Sequence, residues 1–147
     1  MTSLLSILPM VHLIGLALGA GCANAKLTLL LRCRSDPALV PAYLAVARPI
    51  TRLIILGLVL LTLSGVGWLL QGYDLTGLLK VKLALVAVMW VLGPVIDNVV
   101  EPKFRSLCPG SGQTASPAFL RIQNQYLTIE AVATGLFYVI VAIWVLG

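Results

Sequence analysis

The sequence predicts an all-α integral membrane protein, a bundle of four helices with both termini on the outer, periplasmic side. Three observations carry this reading. Of 147 residues, 60% are hydrophobic and only 10% are charged, whereas a soluble domain carries about 25% charge. Mean hydropathy is +1.05. The apolar residues gather in four stretches, each near or above the roughly 20 residues that a bilayer-spanning helix needs. Soluble enzymes, nucleic-acid binders and disordered tails are excluded on the same grounds. The length allows one compact transmembrane domain, residues 1–147.

Span one covers about residues 4–31. Part of it has the look of a secretory signal, with an apolar run from Leu13 to Gly21 before Ala23-Asn24-Ala25. No basic residue precedes that run, and Gly19 stands where a lipoprotein signal before Cys22 needs leucine, so the segment reads as a retained helix. Spans two, three and four cover about 53–70, 75–96 and 127–146. In a hydrocarbon core each must satisfy its own backbone, which makes all four helical. The runs are continuous, without the period of two that a transmembrane barrel would show.

The net charge of +5 is a topology signal. Arg32, Arg34, Arg48 and Arg52 flank the first connection, and Lys103, Arg105 and Arg121 flank the third. Those two connections share a side, read as the cytoplasmic face of a plasma (bacterial inner) membrane. The third connection, about 102–118, has its flexible part at Cys108-Pro109-Gly110-Ser111-Gly112, and Ala118–Tyr126 reads as a short interfacial helix. Gly110 to Thr114 lacks the lysine of a phosphate loop. Cys22, Cys33 and Cys108 share no metal-ligand spacing and read as free thiols. Trp68, Trp90, Trp144, Tyr73 and Tyr126 read as interfacial or lipid-facing anchors.

Ionisable residues at membrane depth mark function unless paired. At about 100° per residue, His12, Gly15, Gly19, Ala23 and Lys26 share one face of span one. Lys82, Val86, Met89, Gly93 and Ile96 share one of span three, with Asp97 at its edge; Gly57, Leu61, Ser64 and Trp68 share one of span two. At 1.5 Å rise, His12 lies about 21 Å from Lys26, and Lys82 about 22 Å from Asp97. The intervals match, so the bundle should hold polar groups at two levels. At the inner level Lys26 can meet Asp97 or Glu130. At the outer level His12 and Lys82 have only Asp74 as a nearby acid, so an anionic ligand would supply the missing charge. The blander readings are a glycine packing face at Gly15-x-x-x-Gly19, a snorkelling Lys82, a hydrogen-bonded His12, and Met89 as packing rather than a metal ligand.

Val11-His12-Leu13-Ile14-Gly15 resembles the first helix of the HemJ-type protoporphyrinogen oxidases and CopD-like membrane proteins. Leu79-Lys80-Val81-Lys82-Leu83-Ala84-Leu85-Val86 resembles the lysine-bearing start of the third HemJ-type helix, and Ser64-Gly65-Val66-Gly67-Trp68-Leu69 the glycine-tryptophan ending of the second. The resemblance covers roughly residues 5–105. It implies a four-helix protein binding haem b or a porphyrin, in which His12 is the axial metal ligand. By the same resemblance Lys82 is the catalytic residue or propionate partner, with Gly15, Gly19 and Met89 beside the cofactor. The chain departs from the pattern in its single histidine and in Gly21-Cys22-Ala23-Asn24-Ala25-Lys26, which replaces an aromatic, arginine-bearing stretch.

Three functions therefore stand open. The first is haem or porphyrin binding, with porphyrinogen oxidation as the reaction. The second is a non-catalytic accessory subunit, as a homodimer or within a larger membrane complex. The third is a small ion or metal transporter that uses Lys26, Asp97 and Glu130 as a relay.

Overall fold

The structure is a computed structural model that describes residues 2–72, 74–109 and 114–146, and their side-chain surroundings except at 2–6, 144 and 146. No strand occurs among the described residues. Helix α1 runs Thr2–Ser35, α2 Val40–Leu70, α3 Gly77–Val95, α4 Glu101–Ser106 and α5 Pro117–Leu146. Four helical spans, Ile7–Ser35, Pro37–Leu70, Gly77–Ser106 and Pro117–Ile143, are long and apolar enough to cross a membrane. The chain is a multi-pass membrane protein. Gly110 to Gln113, Tyr73 and the side chain of Trp144 lie outside the described residues.

The helices outrun the expected spans. The 34 residues of α1 measure about 51 Å against a hydrocarbon core of about 30 Å. The first connection, expected over 32–52, shrinks to a 3-10 turn at Pro37–Leu39. Asp36 caps that turn by accepting the Ala38 N–H at 3.0 Å, and Pro41 sits in the first turn of α2, where its missing N–H costs nothing. The separate interfacial helix expected at Ala118–Tyr126 is the start of α5. Hydropathy lost these segments because their surfaces are polar, with Arg48, Arg52, Arg121, Asn124 and Gln125 all exposed.

What those segments bury is a core of soluble character. Leu30, Cys33, Val40, Tyr43, Ala47, Phe104, Phe119 and Tyr126 pack together with almost no exposure. Phe104 stacks on Phe119 at 5.2 Å and meets Tyr126 edge-on at 5.3 Å. Tyr126 is therefore no lipid anchor: it is fully buried in this cap at the arginine-rich end. Above the cap, a smaller cluster of Ala23, Leu58, Met89, Phe137 and Ile140 fills the bundle.

Helix α3 passes into α4 through a π-turn at Ile96–Val100, closed by the Glu101 N–H bonding to the Ile96 carbonyl. Pro102 explains it. Proline has no N–H for the Asn98 carbonyl and its ring would strike that oxygen, so the ladder widens by one residue. Asn98 Nδ2 donates to the Pro94 carbonyl at 2.9 Å.

Helices α1 and α2 cross through glycine. A Cβ on Gly57 would lie 2.7 Å from both the Gly15 carbonyl oxygen and Gly19 Cα. Such contacts let two backbones touch. Helix α5 packs on α1 and α3, while α2 and α3 have no extended backbone contact although a short loop joins them. Gly57→Leu should thus destabilise the bundle by about 1–3 kcal/mol through overpacking, whereas Gly65→Ala, with open space at its Cβ, should change little. Thermal unfolding in detergent distinguishes the two variants, and equal melting temperatures would refute the close crossing.

Candidate functional site

Lys26 reaches the interior because α1 presents Gly15, Gly19, Ala23 and Lys26 along one buried stripe. Its side chain is 2% exposed, and Nζ lies 2.6 Å from Glu130 Oε1 on α5. Asp97 Oδ1, in the π-turn of α3, lies 4.0 Å away and is 24% exposed. Lys26 also donates to Thr51 Oγ1 on α2 at 2.9 Å. All four spans thus converge on one ammonium. The expected inner level is the geometry observed, with Glu130 the close partner and Asp97 the distant one.

Thr51 was missed because the sequence placed it in a connection. So was Glu101, 4% exposed beneath this level. Tyr43 donates to the Tyr126 hydroxyl at 2.9 Å, and Tyr126 donates to Glu101 Oε2 at 3.4 Å. Arg105 lies 3.4 Å and Arg48 4.0 Å from Glu101 Oε1. Lys26 Nζ stands over the Tyr126 ring, 5.5 Å from its centroid, which links the two polar layers. A signal existed: Glu101 falls four residues after Asp97 and four before Arg105, spacings that share a helix face.

A cavity of about 60 Å³ adjoins Lys26. Ala23, Thr51, Leu58, Met89, Gly93 and Asp97 are among the residues that line it. It lies in the gap between α2 and α3, large enough for a few waters and far below the 300–1,000 Å³ of a cofactor pocket.

At the outer level, His12 Nδ1 lies 2.9 Å from Ser64 Oγ. Ser64 is also 2.8 Å from the Leu60 carbonyl. The hydroxyl has one proton, and the carbonyl can only accept it, so Ser64 accepts from an Nδ1–H and leaves Nε2 as the free lone pair. The His12 ring sits 4.9 Å from Trp68. Lys82 is half-buried on α3, with no ion pair to Asp74 or another described residue. Trp90 is exposed and donates to Thr62 Oγ1 at 3.1 Å.

The donor geometry at His12 suits a ligand or base; the space does not suit a macrocycle. Gly15 is closed by the backbone of α2 and Gly19 by the Phe137 ring, so neither leaves the room that a haem would need. Met89 is 6% exposed and packs among Ala23, Leu58 and Phe137. Among the described residues no three His, Cys, Asp or Glu side chains converge as a metal site. No family model, curated protein or solved structure matches the chain.

Removing Lys26 leaves Glu130 a buried, unpaired charge, a change that costs about 3–5 kcal/mol in soluble cores. Lys26→Met should therefore melt well below wild type, and Lys26→Met with Glu130→Gln should recover part of the loss. The same cycle with Asp97→Asn should show the smaller coupling. Equal couplings, or none, would contradict the ranking of the two acids.

Proposed function

We propose that this is a small proton-handling membrane protein whose working site is Lys26, Glu130, Asp97 and Thr51. The supporting observation is a charge count around the cavity. One ammonium faces two carboxylates, so with both ionised the site carries one uncompensated negative charge near membrane depth. Such a charge is costly there, and uptake of a proton removes the cost. The cavity offers room for the water that would deliver it.

The reading gives each layer a task. The cluster of Leu58, Met89, Phe137 and Ile140 is the apolar stretch that a proton must cross between the proton-binding level and His12. On the other side, Tyr126, Tyr43 and Glu101 form a hydrogen-bonded layer between Lys26 and the surface arginines. Entry on the near side is from the arginine-rich face, which we assign to the cytoplasm of a plasma membrane from the distribution of basic residues.

Vesicles that contain the protein and a trapped pH-sensitive dye test the function under an imposed pH gradient. Wild type should relax the gradient faster than empty vesicles, and Glu130→Gln should remove most of that excess. Undiminished relaxation in both Glu130→Gln and Asp97→Asn would overturn the proposal.

Cysteine labelling tests the orientation. Cys33 is unsuitable because it is 1% exposed, so single cysteines belong at exposed Thr76 and Ala118 in an otherwise cysteine-free chain. An impermeant reagent added outside intact cells should label Thr76→Cys and spare Ala118→Cys. The reverse pattern would invert the topology.

A further inference from the structure

We propose that the gap between α2 and α3 seats one anionic phospholipid, with its phosphate on Arg48 and Arg52 and an acyl chain against Ile55 and Gly93. This inference goes beyond the proton-handling reading and concerns the lipid-facing mouth of the same gap. It rests on the shape of that mouth and on two arginines outside the Lys26 cluster.

The gap is framed at both ends. At the arginine-rich end, Arg48 approaches Glu101 at 4.0 Å and Arg105 donates to the Leu44 carbonyl at 3.2 Å. Toward the other end, Trp90 donates to Thr62. Between these rungs, Thr51, Ile54, Ile55 and Leu58 form one wall, and Met89, Leu92, Gly93 and Ile96 form the other. The backbones of α2 and α3 do not pack there, and a Cβ on Gly93 would meet nothing within 4 Å. Ile55 is 41% exposed. The result is a slot whose floor carries Lys26, Asp97 and Glu130 and whose outer walls, at Ile54, Ile55, Leu92 and Gly93, are apolar on the side where a bundle meets lipid.

The sill of the slot is basic. Arg48, Arg52 and Ile55 occupy one stripe of α2 at helical spacing. The Arg48 side chain is 73% exposed, with only a long contact to Glu101. Arg52 is exposed and has no ion pair to a described residue. Two guanidiniums one turn apart can present forked donors to a single phosphate. Arg52 also marks where the apolar stretch 53–70 begins, so this pair stands at headgroup depth. A phosphate held there sends its acyl chains along Ile55 toward Gly93, in the direction of the bilayer interior. A soluble anion would use the arginines and leave the slot bare. A zwitterionic lipid would place its own ammonium against the guanidiniums. An anionic phospholipid satisfies both halves.

Native mass spectrometry of the whole protein tests this after exchange into detergent with equal dioleoyl phosphatidylglycerol and dioleoyl phosphatidylcholine. The expected result is one phosphatidylglycerol per chain, retained at least tenfold over phosphatidylcholine. Arg48→Gln with Arg52→Gln should remove that preference, and Gly93→Leu should reduce retention while leaving both arginines in place. Arg32→Gln with Arg34→Gln, at the same end but on α1, should have no effect. Helical circular dichroism confirms that each variant is folded; if the Arg48/Arg52 pair is not, Gly93→Leu decides alone. Equal retention of the two lipids, an equal loss in the Arg32/Arg34 control, full retention in Gly93→Leu, or displacement of the lipid by millimolar inorganic phosphate would each overturn the assignment.

Discussion

The bundle is organised around a lysine that cannot face lipid. Lys26 occupies the stripe of α1 that must turn inward because Gly15, Gly19 and Ala23 lie on it, and an ammonium placed there demands a carboxylate. Glu130 supplies it from α5, Thr51 supplies an acceptor from α2, and Asp97 completes the ring from α3. The relative rotation of all four spans follows from that one requirement. Apolar packing between transmembrane helices is weakly directional, since lipid tails compete on equal terms with leucine. A buried charge is not weakly directional, and it selects one register among many that would bury similar area.

Beneath the ion cluster the protein changes character. The cap around Tyr43, Phe104, Phe119 and Tyr126 is packed as a soluble core is packed, and its outer surface is set with exposed arginines. It closes the charged layer from below with aromatic rings and supplies two hydroxyls and Glu101 where a purely apolar plug would leave Lys26 isolated. The π-turn belongs to this boundary. Pro102 disrupts the regular ladder, and the widened turn carries Asp97 into one polar layer while Glu101 begins the next.

The membrane class, the four spans and the inner charged level were readable from composition and helical periodicity. Periodicity also placed Gly57 and Ser64 on the face of α2 that meets α1. Other features escaped for physical reasons. Hydropathy reports where a helix contacts lipid, so it stopped at Arg52, missed the polar-surfaced extension at Val40–Thr51 and set Ala118–Tyr126 apart from the span it begins. Thr51, assigned to a connection, had no face, and Glu101, beyond the end assigned to the third span at residue 96, was not read with Asp97 and Arg105 although its spacing joins them. Tyr126 was taken for an anchor by its residue type and its position near a span end, whereas tertiary packing decided its burial. Nor can residue spacing say whether a glycine face leaves room or removes it. Gly15 and Gly19 serve a close helix crossing, and only the position of α2 reveals that.

The close crossing of α1 and α2 bears on how the chain is assembled during synthesis. These two helices are consecutive, joined by a tight turn and matched glycine to glycine, so they can pair as a hairpin as soon as both have left the insertion machinery. Lys26 is then committed to an interior that does not yet exist. Thr51 is present on the hairpin, but Glu130 arrives only with the last span. Until then the long aliphatic stem of Lys26 can let its ammonium reach the nearby headgroups, and capture by Glu130 draws it inward as the fourth helix docks. The final helix therefore acts as a checkpoint: a chain truncated before it leaves Lys26 with only the distant Asp97 and without its close carboxylate, the kind of feature by which quality-control proteases can tell an unfinished membrane protein from a finished one.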